Sequence, residues 1–214
     1  LLLVVARAAG APGDREGLSV VLVPRDSDGV DCQRTLMVDS RNAANIRFDN
    51  VTLPASAILG EPGTAGDWLD AVLDRGRVAL AAEMLGSTEE VFDRTVAWLK
   101  ERVQFGVPIG SFQALQHRAS RLQAELELAR SVVLQALATV DDNPQQLALV
   151  ASLAKAQLNE LVKLATNEAV QLHGGIGVTD ELEIGFFLKR ARVTMQILGD
   201  TGFHKDRYAS IEGY

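Results

Sequence analysis

The chain has 214 residues, 47% of them hydrophobic and 23% charged, with a formal net charge of −7. That length accommodates one large domain or two small ones with a sizeable core, and the acidic balance argues against sequence-independent binding to nucleic acid. The single cysteine, Cys32, excludes an internal disulfide and any multi-cysteine metal site.

In chain order, the first residues, LLLVVARAAG, lack a basic leader and read as a buried strand entered partway, so the chain is expected to begin inside a domain. APGDREG is turn material, and LSVVLVP is a second β-branched run ended by Pro24. Arg47 to Leu53 (RFDNVTL) alternates polar and apolar as a half-buried strand does, before Pro54 and GEPGTAG break the pattern. After Ala65 the texture turns helical: Trp68, Val72, Ala79, Leu80, Met84, Phe92, Val96 and Leu99 recur at helical spacings. FGVPIGS is a loop, and Ser111 is a candidate cap for a second helix with an apolar face of Phe112, Leu115, Leu122, Leu126, Val133 and Leu137. Asn143 as cap and Pro144 at the first helical position open a third helix, which runs to His173 and stops at Gly174-Gly175. Asp180 is a candidate cap for a fourth helix reaching about Ile197, and a short fifth begins near Asp200. The expectation is a mainly α protein: an antiparallel up-down helical bundle (64–214) preceded by the end of a β domain (1–63). No apolar stretch approaches the ~20 residues of a membrane span, and a reduced, cytoplasmic setting is expected.

Three stretches carry candidate chemistry. ERVQFGVPIGSFQALQ, Glu101 to Gln116, turns a corner between helices. There Arg102 either offsets a helix dipole or offers a bidentate fork to an anion, and Phe105 either plugs the core or presents an aromatic face. QLHGGIG, Gln171 to Gly177, is either a glycine helix stop or a place where bared backbone N–H groups let a ligand approach. His173 beside it reads as a packing residue. DRGRVALAAEMLG, Asp74 to Gly86, places Arg77 in an apolar stretch, where it needs a salt-bridge partner or an interface. Near the end, LGDT sets Asp200 where it can cap a helix or accept a proton.

In order and spacing, these segments, with LSVVLVPRDSDGV and IRFDNVTLPASAILGEPG before them, resemble the acyl-CoA dehydrogenase family over essentially the whole chain. The resemblance implies the end of that family's β-barrel-like middle domain followed by its C-terminal helical bundle. It implies that Arg102, Phe105 and Gln113 hold the FAD of a neighbouring subunit, and that Gln171, Gly174 and Gly175 meet the adenine and pyrophosphate end of that flavin. A dimer or tetramer through the bundle follows, whether homo- or heteromeric, with an acyl-CoA substrate and an electron-transfer flavoprotein or similar acceptor. Members desaturate an acyl-CoA by removing an α-proton with a Glu while hydride leaves the β-carbon for FAD. By register that Glu falls at Gly199, or in some members at Gly76, so neither usual site carries a carboxylate: either Asp200 acts as a shifted base, or the chain is a non-catalytic interaction subunit completing a partner's FAD site, or the flavin serves another reaction, as in related flavin-dependent monooxygenases. The ending QLHGGIGVTDE…FFLKRA…LGDTGFHKDR is similar to small subunits of pimeloyl-CoA-type and steroid-acyl-CoA-type heteromeric dehydrogenases.

Overall fold

The structure is a computed structural model that describes residues 1–214, apart from the side chain of Asp67. The chain divides into two compact units, Leu1–Leu73 and Asp74–Tyr214, with the boundary inside a long helix.

In the first unit, β1 (Leu2–Arg7) and β2 (Leu18–Val23) pair antiparallel from Leu2 opposite Val23 to Arg7 opposite Leu18, and β5 (Ile58–Leu59) joins the other edge of β2. β2 is central and contributes buried Val20 and Val23. β1, expected as a buried strand, is an edge strand that leaves Leu3 and Val5 exposed. β3 (Val30–Leu36) and β4 (Asn42–Phe48) form a separate hairpin. The strand expected over Arg47 to Leu53 therefore starts earlier and ends at Phe48. Asn50 takes φ of 51°, a left-handed conformation that stops strand pairing.

The second unit is the helical bundle. α1 (Ala65–Glu101) leads through a small hairpin, β6 (Val103–Gln104) and β7 (Val107–Pro108), into α2 (Gln113–Asp142). α3 (Leu147–His173), α4 (Ile184–Thr194) and α5 (Thr201–Glu212) follow. α3 is buried on most sides, leaving a narrow exposed stripe of Glu160, Lys163, Asn167 and Gln171, and it packs against α2, α4 and α5. Its alanines at 151, 154, 165 and 169 are buried and let neighbouring helices approach closely. Val78, Met84 and Val91 of α1 meet Leu122, Leu126 and Val133 of α2 and Leu158 and Val162 of α3 in one core. The threonines inside it are satisfied locally: Thr88, Thr95 and Thr166 each donate to the carbonyl four residues back at 2.7 Å.

Helix ends depart from expectation more than helix bodies do. Ser111 does not cap α2; its hydroxyl donates to Pro108 O at 2.7 Å within a 3₁₀ turn, and Phe112 holds the cap position. Asn143 and Pro144 open a 3₁₀ turn rather than α3 itself, and no side chain caps it. Asp180 does not cap α4, which starts at Ile184; its carboxylate lies 3.7 Å from Lys189 instead. α4 ends at Thr194, short of Ile197, because Leu198 and Gly199 turn the chain with positive φ. Leu137, expected on the buried face of α2, is exposed. No helix among the described residues is long and apolar enough to cross a membrane.

Candidate functional site

The corner after α1 is built around an unfavourable turn. Phe105 and Gly106 join β6 to β7 with φ of 56° and 80°, the pair of positive values that a two-residue type I′ hairpin requires. A bulky side chain in that region costs about 1–2 kcal/mol. Phe105 is nonetheless there, 92% exposed, with its ring edge-on to Phe112 at 6.0 Å. Phe105 thus does not plug the core, because it occupies a hairpin tip and not a helix face. The strained turn presents the ring to solvent.

Arg102 stands at the base of this hairpin. Its N–H donates to Trp98 O at 2.9 Å, and its carbonyl accepts from Ile109 N at 2.8 Å, so the backbone is fixed. Its guanidinium lies over the Trp98 ring, 5.7 Å from the centroid. Among the described residues no carboxylate pairs with it, whereas Arg77, Arg94, Arg118, Arg130 and Arg207 all have one. The fork's donors are therefore not committed to a carboxylate among the described residues. Gln113, the first residue of α2, is exposed beside the same corner.

Trp98 also stacks on His173, the last residue of α3, with ring centroids 5.2 Å apart and planes 23° apart. His173 Nδ1 donates to Ala169 O at 2.7 Å, so it is the packing residue the sequence suggested. α3 stops because Gly174 takes φ of 67°. Gly174 and Gly175 are exposed, and a Cβ on either would meet nothing within 4 Å. The Trp98–His173 stack thus brings the Arg102 end of α1 beside the open backbone that follows α3. A free guanidinium, two exposed amides (Gln113 and Gln171) and bare glycine backbone form a donor set suited to a pyrophosphate.

A second cluster surrounds the turn between α4 and α5. Arg77 is buried, with Nη1 2.7 Å from Asp74 Oδ1, which is the salt bridge its apolar setting demanded. Arg207 grips the same carboxylate at 2.7 and 2.8 Å. Leu198 O then accepts from Arg77 Nε at 3.1 Å and from His204 Nε2 at 3.0 Å. Lys155, fully buried on α3, donates to Asn159 Oδ1 at 2.7 Å, Thr194 O at 2.9 Å and Gly199 O at 3.1 Å. Donors from α1, α3 and α5 thereby converge on two successive carbonyls and hold Leu198 and Gly199 at φ of 61° and 114°. Burial, reinforced by the charge of Arg77 and opposed by that of Asp200, pulls the Lys155 ammonium down to about 8. Burial, with Lys155, Arg77 and Arg207 adding to it against the bond to Leu198 O, pulls His204 down to about 4, so its ring is neutral near pH 7.

Both positions where a base was sought lie at this turn. A Cβ on Gly76 would sit 3.2 Å from Leu198 Cδ1, so Gly76 faces the turn with only a flexible leucine tip in the way. A Cβ on Gly199 would fall 2.4 Å from Phe203 Cδ1 and 2.7 Å from His204 Nε2, on a backbone that already excludes it. Asp200 is exposed and caps α5: its Oδ1 accepts from Phe203 N at 2.8 Å. Sequence reasoning missed Trp98 and Lys155. A signal existed for Trp98, which lies one helical turn before Arg102, and for Lys155, a lone cation in an apolar run.

The family model for the acyl-CoA dehydrogenase C-terminal domain matches residues 67–211. The chain is 42% identical over 145 residues to acyl-CoA dehydrogenase IpdE2 of Mycolicibacterium smegmatis, covering 68% of this chain and 44% of that protein. It is 30% identical over 195 residues to the mitochondrial short/branched chain specific acyl-CoA dehydrogenase of Rattus norvegicus, covering 90% of this chain and 45% of that one. Among solved structures, a glycine-to-alanine variant of the Tcur3481–Tcur3483 steroid ACAD superposes with a TM-score of 0.83 at 30% identity, over 98% of this chain and 54% of that chain. The chain spans about half the length of the curated relatives it matches.

Proposed function

The chain belongs to the acyl-CoA dehydrogenase family, whose members are FAD-dependent flavoproteins, and from that premise we propose that it is the base-lacking subunit of a heteromeric acyl-CoA dehydrogenase. In this reading Arg102 and Gln113 bind the FAD pyrophosphate of a neighbouring subunit, Phe105 lies against the same cofactor, and Gln171, Gly174 and Gly175 meet its adenine and pyrophosphate end. When bound, FAD supplies the acceptor for the hydride leaving the β-carbon of an acyl-CoA thioester during α,β-desaturation. The part of this chain is to bind and orient: a guanidinium fork fixes a diphosphate in two directions, and bare backbone N–H groups donate to its oxygens without crowding.

The observation that carries the heteromeric reading is the turn at Gly199. Its positive φ and the rings of Phe203 and His204 close the position to any side chain, while Gly76 is also bare. The α-proton is then taken by a carboxylate from another subunit. The acyl-CoA, an electron-transfer flavoprotein or similar acceptor, a place in fatty-acid or related β-oxidation and a cytoplasmic setting belong to the same reading. An exposed Asp200 supports a second one, in which it acts as a shifted base. Its carboxylate is already engaged as the cap of α5.

The test is to express the full-length protein alone and with the protein encoded beside it, then record the 450-nm flavin band and its bleaching by acyl-CoA. Flavin and bleaching in the pair, with Asp200→Asn leaving the rate unchanged, is the expected result. No flavin in either preparation sinks the proposal. A large rate loss in Asp200→Asn with substrate binding kept makes Asp200 the base. Product that depends on oxygen and on externally reduced flavin makes the pair a monooxygenase, and flavin without any bleaching makes the chain an interaction subunit only.

A further inference from the structure

We propose that Trp98 is a positioning residue of the flavin site: its indole holds the Arg102 guanidinium and ties it to the His173–Gly175 end of α3, so that both anion-facing segments are presented together. The proposal rests on the reading of Arg102 as an FAD ligand.

A long, exposed arginine at a helix end ordinarily samples many rotamers, and ordering it on binding reduces affinity. Most arginines in this bundle are ordered by carboxylates, which occupy the donors that a pyrophosphate needs. Arg102 is held in another way. An aromatic face 5.7 Å away attracts the cation through its π-system and leaves every N–H free. Helical spacing makes this possible, because positions four apart lie one above the other on a helix surface, and the bond from Arg102 N to Trp98 O fixes that register.

The same ring cannot drift. It stacks on His173 at 5.2 Å, and His173 is itself pinned to Ala169 O. Trp98 Nε1 is buried without a hydrogen-bond partner among the described residues. A buried indole N–H left unpaired is unfavourable by about 1–3 kcal/mol, so the ring is retained for its faces and not for its donor. Two segments separated by 71 positions, Arg102 and His173, thus meet on one side chain.

The experiment is a double-mutant cycle in the full-length protein, co-expressed with its partner where one is required, stripped of flavin and titrated with FAD. Trp98→Ala is expected to weaken FAD binding about 5- to 20-fold. Trp98→Phe, which restores an aromatic face, is expected to recover to within about 3-fold. In an Arg102→Ala background Trp98→Ala should have a markedly smaller effect, since the residue acts chiefly through Arg102 and only in part through the His173 end of α3. A purely structural role would give the same loss in both backgrounds and no special recovery with Phe, and either result overturns the proposal. If Trp98→Ala does not fold, Trp98→Leu fills the volume without the π-face and carries the same expectation. Loss with Arg102→Ala but none with Trp98→Ala or Trp98→Leu refutes this inference and leaves the flavin site standing. No loss with Arg102→Ala removes the flavin-site reading itself and this inference with it.

Discussion

Gly199 and Gly76 stand at the two places where a base was sought, yet they tolerate a side chain to different degrees. Gly199→Ala puts a Cβ into Phe203 and His204 on a backbone with φ of 114°. The variant should lose about 2–4 kcal/mol of unfolding free energy from strain and overpacking together. Gly76→Ala meets one movable leucine methyl and gains helix propensity, so it should stay within about 1 kcal/mol of the parent. Urea unfolding of both variants measures the contrast, and equal losses would contradict the account of the turn. Lys155 gives a second check through pH. Its ordinary value is 10.5, and burial holds it near 8 in the folded protein. Between those values the unfolded chain binds more protons than the folded one, so this group's contribution to stability rises with pH across that window. Below about pH 8 both states carry the charge, and the penalty for burying it is present in full. Relative to Lys155→Met, the parent should gain up to about 1.4 kcal/mol per pH unit between 8 and 10.5. Parallel stability profiles in that range would show that Lys155 is not depressed.

The hairpin and the helix ends make claims at the scale of elements. Replacing Phe105 by Asn puts a residue that tolerates positive φ at the tip of β6–β7. Phe105→Asn should therefore raise stability by about 1 kcal/mol while lowering flavin retention during gel filtration. A variant that is more stable and keeps its flavin equally well would mean the exposed ring serves neither cofactor nor partner. Asp200→Ala removes the one side-chain cap of α5 and should cost about 0.5–2 kcal/mol, seen first as faster amide exchange at Phe203. Elements of this kind were read from sequence with uneven success, for a physical reason. α3 and its stop at Gly174 were legible because apolar periodicity and a glycine end are local signals. As candidate cofactor residues, Arg102, Phe105, Gln113 and the glycine pair stand out only through their joint spacing, since no one of them carries a specific local signal. The caps assigned to Ser111 and Asp180 failed because each side chain found another partner, Pro108 O and Lys189, that sequence alone does not reveal. β3 escaped notice because VDCQRTL is mostly polar and exposed, with only its pairing to β4 to define it. The clamp on Leu198 and Gly199 joins residues up to 121 positions apart, and no window of sequence contains it.

At the scale of the whole molecule, the chain carries, on the reading proposed above, one part of a flavin site. Arg102, Gln113, Gln171 and the glycines face outward with unused donors, while the turn at Gly199 is closed to a base. On the proposed reading, this donor surface gains its function when a second subunit brings the rest of the flavin pocket. Association then has a thermodynamic signature. A cofactor that binds the assembled state and not the separate chains stabilises the assembly by mass action, by about 2.7 kcal/mol at a hundredfold excess over its dissociation constant. Thermal unfolding of the co-expressed, full-length pair should accordingly rise with added FAD and with protein concentration, whereas the chain expressed alone should show neither dependence. Arg102→Ala should flatten the FAD dependence of the pair and leave its concentration dependence, because the substitution removes a proposed cofactor contact and alters nothing else on the surface. A lone chain whose unfolding temperature climbs with FAD as steeply as that of the pair would show that one subunit type completes the pocket, and the heteromer would be abandoned for a homo-oligomer.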